Sequence, residues 1–147
     1  MTDRSKRVKT LLRVTNIRRK QSEAVLAKAE IERREALDRQ AETIERLSET
    51  ASLPAGTVSS LDARRQRTDL RIDAVLTANQ VVAASAEEVA TARLRWQAAA
   101  RDEKAMEELD RREKAVLAIR ASRVAERAVD DALRARRTNR TTGGQKS

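Results

Sequence analysis

The stretch Ala51-Ser52-Leu53-Pro54-Ala55-Gly56-Thr57-Val58-Ser59-Ser60 is the one strong break in the chain, and it holds the single proline and one of the three glycines. Pro54 cannot continue a helix and biases Leu53 away from helical angles. Ser59, with Asp62 three residues on, reads as a modest capping box opening a second helix. On both sides of the break the chain is dominated by Ala, Leu, Arg and Glu, all good helix formers. The fold expected is all-α: an antiparallel two-helix coiled-coil hairpin, with a helix over 3–50, a loop over 51–60 and a longer helix over 60–137. At 1.5 Å per residue the helices would run roughly 70 Å and 115 Å. Gly143 and Gly144 lie in a polar, basic stretch, so 138–147 reads as a disordered tail.

Helices of this length need a partner stripe. In the second, Ile72, Val75, Asn79, Val82, Ala86, Val89, Arg93, Trp96 and Ala100 follow four-three spacing. A second phase, Ala105, Leu109, Arg112, Val116 and Ile119, follows after what looks like a coiled-coil stutter. In the first helix the stripe read is Ile17, Ala24, Ala27, Ile31, Ala41 and Ile44, interrupted by Lys20, Arg34 and Asp38. Folding back symmetrically about the loop puts Val14 near Trp96, Ile31 near Asn79 and Ile44 near Gln66. On that register residues beyond about 108 have no partner in the chain, although Leu109, Val116, Leu117, Ile119, Val124 and Val129 lie there. Such residues invite another protein; the alternative is bending, fraying or self-association. Acid-to-base pairs four apart, such as Glu30 with Arg34, Glu35 with Arg39 and Glu108 with Arg112, support exposed helices by a few tenths of a kcal/mol each.

Composition narrows the function classes. Trp96 is the only aromatic residue, and charged residues make up 37% of the chain, which suits a thin helical structure better than a thick core. Trp96 reads as a seam residue, with an exposed interface anchor as the alternative. There is no cysteine, so disulfides and thiolate metal sites are excluded and a reducing cytoplasm is the natural setting. There is no histidine, which removes the commonest general base and metal ligand. No glycine cluster precedes a helix to cradle a phosphate. Adjacent acids such as Glu87-Glu88, Glu107-Glu108 and Asp130-Asp131 diverge around the helix and share no site. No enzyme, no small-molecule substrate, no cofactor and no metal are expected. No signal peptide or membrane span is read either.

The net charge of +9 is placed at the ends: residues 1–20 carry eight Lys/Arg against Asp3, and residues 134–147 carry five against none. One reading is solubility and disordered arms. The other is an acidic partner, an anionic surface or nucleic acid. The basic stretch Arg4–Lys20 is not followed by a leucine zipper, and no aromatic platform exists for single strands, so nucleic acid is not the expected partner.

The run Arg7-Val8-Lys9-Thr10-Leu11-Leu12-Arg13-Val14 resembles the opening of the FliJ family, small coiled-coil proteins of the bacterial flagellar type III export apparatus. The segment Ala99-Ala100-Arg101-Asp102-Glu103-Lys104-Ala105-Met106-Glu107-Glu108-Leu109-Asp110-Arg111-Arg112 resembles that family's "A…K-A-L-E-x-L-x-x-R" segment, with Met106 where leucine is usual. Asp130-Asp131-Ala132-Leu133 is similar to its late acidic signature. The resemblance covers about 5–133; the scarcity of aromatics and the short loop depart from the family pattern. It implies a stalk that couples the hexameric flagellar export ATPase to the membrane export gate and assists export chaperones. It also implies a cytoplasmic protein held peripherally at the membrane through its partners, in service of motility. A stalk of the injectisome kind is a close relative of that reading. By position, the resemblance implies that Arg7, Lys9 and Arg13, with Met106, Leu109 and Arg112, meet the ATPase. The hairpin tip, Leu47, Leu53 and Leu61, would face the gate.

Overall fold

The computed structural model describes residues 3–51, 56 and 58–143 and contains two long helices packed as an antiparallel hairpin: α1 (Asp3–Ala51) and α2 (Val58–Gly143). α2 continues through 138–143, a stretch expected to be tail. Among the described residues no helix is long and apolar enough to cross a membrane. The chain divides into two compact units, Asn16–Asp102 and Met1–Thr15 with Glu103–Ser147.

In the first of these units the helices meet along lines of small residues. Leu26 and Ala29 of α1 pack with Val89 and Ala92 of α2, so each helix contributes one larger and one smaller side chain. Ala36 and Ser85 are buried on the same lines. Among the shielded residues of α1 in this unit, Arg19, Ser22, Leu26, Ala29, Ala36, Gln40, Thr43, Leu47 and Thr50 keep strict four-three spacing with exposed Arg33 filling one step, and Asn16 is half-buried beside the line. Ile17, Ile31 and Ile44, expected on the seam, point away from it; Ile31 is 59% exposed where Ala29 is 8%. The α1 stripe read from the large aliphatics is therefore corrected. Alanine lets backbones approach closely, so the small residues of α1 occupy the seam and its larger isoleucines lie outside it.

The register differs from the expected one as well. Gln40 Nε2 donates to Asn79 Oδ1 at 2.6 Å, and Arg93 Nη2 reaches Glu30 Oε1 at 3.4 Å. Asn79 is thus matched by Gln40, not by Ile31, a shift of about two and a half turns. The cause lies at the tip. α1 has no basic residue in its last turn, where a helix carries unpaired carbonyls and partial negative charge. α2 supplies the cations: Arg64 Nη2 donates to the Thr50 carbonyl at 3.4 Å, and Arg71 Nη1 donates to the Arg46 carbonyl and Thr50 Oγ1. The first turns of α2 overshoot the end of α1 to bring these arginines alongside, so the fold-back is not symmetric about the loop. Glu30 accordingly pairs across the seam and not with Arg34, while the pairs Glu35–Arg39 and Glu108–Arg112 form as expected.

On α2 the shielded positions Val75, Ala78, Val82, Ser85, Val89, Ala92, Trp96 and Ala99 again keep four-three spacing. Val75, Val82, Val89 and Trp96 of the expected stripe lie on this line, Ala86 and Ala100 are half-buried beside it, and Ile72, Asn79 and Arg93 are exposed at its flank. Trp96 is half-buried on it, and its indole Nε1 is buried with no hydrogen-bond partner among the described residues.

Removing two methyl groups from the seam should register where the same kind of truncation outside it does not. Val89→Ala is expected to lower the unfolding free energy by about 1.5 kcal/mol. Ile31→Ala should stay within about 0.5 kcal/mol. Urea denaturation followed by circular dichroism measures both, and a larger loss at Ile31 than at Val89 would contradict the seam.

Candidate interaction surface

The unit formed by Met1–Thr15 with Glu103–Ser147 contains most of the residues expected to meet partners. On α2, Glu103, Met106, Asp110, Glu113 and Leu117 are buried or half-buried, on the same four-three spacing. No stutter is needed. The line continues in phase but switches to polar residues, and Glu103 and Asp110 are only 8% exposed. Ala105, Leu109, Arg112, Val116 and Ile119, taken as a new phase of the stripe, lie beside it, and all five are exposed.

α1 supplies the matching chemistry. Ser5 is buried, and Val8, Leu12 and Thr15 are half-buried on its inward line. Around them stand Arg4, Lys6, Arg7, Lys9 and Arg13, all exposed. Arg4 Nε lies 3.3 Å from Glu113 Oε2, with the carboxylate side chain mostly shielded and the arginine mostly in solvent. Asp110 is held by Lys114 one turn on, at 2.5 Å. One acid of the α2 line, Glu113, therefore meets the basic α1 segment, whereas Asp110 is paired within α2. With the arginine exposed, the Arg4–Glu113 pair contributes at most about 1 kcal/mol, and it fixes orientation more than stability.

Cover ends later than expected. Arg4 sits beside Glu113 and Leu117 is half-buried, so the uncovered part of α2 begins after Leu117 and not near residue 108. From Ala118 to Thr138 every residue is exposed, including Ile119, Val124, Val129 and Leu133. Where cover ends, Arg4, Leu109, Arg112, Glu113, Val116 and Arg120 line an open groove of about 600 Å³.

The residues assigned by position fall into three groups. Arg7, Lys9, Arg13, Leu109 and Arg112 are exposed in this unit, with Arg112 Nε 3.0 Å from Glu108 Oε1. Met106 and Leu47 are half-buried on the seam lines, so they contribute to helix pairing before any partner contact. At the tip, Leu61 is exposed and lines a shallow hollow with Thr50, Gly56 and Arg64, whereas Leu53 lies outside the described residues. Apolar stripes do not single out Arg4, Asp110, Glu113 and Arg120; for the three on α2 the available signal is their four-three spacing with Met106 and Leu117, and Arg4 carries none.

Among the described residues no group of His, Cys, Asp or Glu is placed to hold a metal ion. The largest hollow near the mid-seam, about 550 Å³, is an open trough over Ala29 and Ala92 flanked by Glu32, Glu87, Lys28 and Arg95. No family model, curated protein or solved structure matches this chain.

An uncovered helix opens more readily than a paired one. Backbone amides over 120–138 are expected to be about tenfold or more less protected from hydrogen exchange than those over 85–96. Equal protection would mean that the C-terminal part of α2 is covered in solution.

Proposed function

We propose that the protein is a non-enzymatic coiled-coil adaptor of flagellar protein export. On this reading it is a FliJ-like stalk that couples the export ATPase ring to the membrane export gate and assists export chaperones. The observation that supports it best is the mismatch in helix cover. α1 begins beside Glu113, and among the described residues no helix lies over α2 from Ala118 to Thr138, in the unit that also carries the exposed basic residues Arg7, Lys9 and Arg13. A helix end that is charged, amphipathic and unpartnered is suited to protein contact, and the sequence resemblance supplies the kind of partner. Seating in the ATPase ring would use that end, and the tip around Leu61 would face the gate. Localisation at the cytoplasmic face of the membrane would follow from the partners and not from a span in the chain.

A second reading, a binder of nucleic acid or anionic surfaces, draws on the same arginines. It is separated by salt: nucleic-acid binding falls steeply with salt through counterion release. Pull-down with the purified hexameric export ATPase tests the main proposal. The triple variant Arg7→Glu, Lys9→Glu, Arg13→Glu should retain its helix content and lose at least about tenfold in affinity, the size expected when three steering cations are reversed. Undiminished capture would remove the basic face from the ATPase contact. No capture of the unaltered chain would overturn the export reading.

A further inference from the structure

We infer that the uncovered part of α2 is a docking line for an acidic amphipathic helix from another protein, which takes up the line that α1 leaves. The argument rests on a change of sign. Where α1 covers it, the inward line of α2 carries Glu103, Asp110 and Glu113, and the segment laid on it is basic, with Arg4 bonded to Glu113. Past Leu117 the same four-three spacing gives Arg120, Val124, Arg127, Asp131 and Arg134. Three of these five are arginines seven residues apart, about 10.5 Å along the axis, and Asp131 is the one acid among them. The sign of the contact Arg4 makes on Glu113, base of α1 on acid of α2, is inverted on the line where α1 runs out.

The geometry at the junction fits that inversion. Arg4, Arg112 and Arg120 surround Leu109 and Val116 in the groove where cover ends. The one carboxylate there, Glu113, is already engaged by Arg4. The guanidinium groups of Arg120, Arg127 and Arg134 make no ion pair or hydrogen bond among the described residues. Val124 lies between them on the line, with Ala121 and Ala128 beside it, so an occupant needs apolar residues between its carboxylates. A phosphate backbone would leave that apolar strip unused. A second copy of this chain would set arginine against arginine. A helix with carboxylates seven apart and aliphatic residues between them satisfies both the charge and the strip.

The inference rests on the adaptor reading only in supposing a protein partner; it does not require that partner to belong to an export apparatus. The test uses the full chain and two fluorescent synthetic helical peptides. One has heptads with leucine on the apolar positions and glutamate every seventh residue facing the line. Its twin has lysine in place of glutamate. The acidic peptide should bind the unaltered chain. The variant Arg120→Glu, Arg127→Glu, Arg134→Glu should bind it about tenfold or more weakly and should bind the lysine peptide instead. The control Arg101→Glu, Arg136→Glu, on the outer face of α2, should bind the acidic peptide within about twofold of the unaltered chain. Circular dichroism checks that each variant remains helical. Failure of the acidic peptide to bind, equal binding by the triple variant, or no capture of the lysine peptide by it would overturn the inference. So would displacement of the peptide by duplex DNA near physiological salt, or sedimentation as a dimer that the triple variant abolishes. No export component is present, so failure here leaves the ATPase pull-down to stand or fall separately.

Discussion

The structure depends on how closely two helices approach when the residues between them are small. Ala29 and Ala92 sit in the seam with Val89 and Leu26, so each helix sets a small side chain and a larger one between the backbones. That constraint sets which faces meet. It turns Ile17, Ile31 and Ile44 outward, although they are the more hydrophobic residues. It also makes hydrogen bonds such as Gln40 to Asn79 useful as register marks, because a seam of alanines alone tolerates sliding. A single polar contact between helices is a well-attested way to fix register at some cost in stability.

The tip adds a second constraint. α1 ends without a cation of its own, and Arg64 and Arg71 of α2 close its terminal carbonyls. α2 overshoots α1 as it does so, and this offset moves the cover of α1 along α2, leaving the first turns of α2 past the end of α1. The uncovered segment is therefore shorter than the loop position implies, beginning after Leu117, and it is the arginine-bearing part of the line that is left exposed.

Much of the fold was legible in the sequence, for physical reasons that also mark where legibility ends. Pro54 and the helix-forming composition gave two helices and a hairpin. The valines at 75, 82 and 89 and Trp96 gave half of the α2 line. The α1 line was hidden because its residues, among them Ser22, Ala29, Ala36 and Gln40, are small or polar and carry no hydropathy signal. The α2 line beyond Ala99 was hidden because it passes through Glu103, Asp110 and Glu113, so the apolar neighbours Leu109 and Val116 mimicked a change of phase. Charge reading fared better: a basic N-terminal segment was visible, but its acidic counterpart on α2 became visible only with the register. Which partner the uncovered end meets is written in neither helix pairing nor burial; it enters through the resemblance and through the chemistry of the arginine line.

The register is the claim on which the rest turns, and a chain without cysteine allows it to be read directly. Two cysteine pairs should be introduced separately, Ala29→Cys with Ala92→Cys and Ile31→Cys with Asn79→Cys, and each oxidised mildly in dilute solution. Rapid intramolecular disulfide formation in the first pair and not the second is the result this register predicts. Cross-linking of the second pair with the first left as free thiols would contradict it.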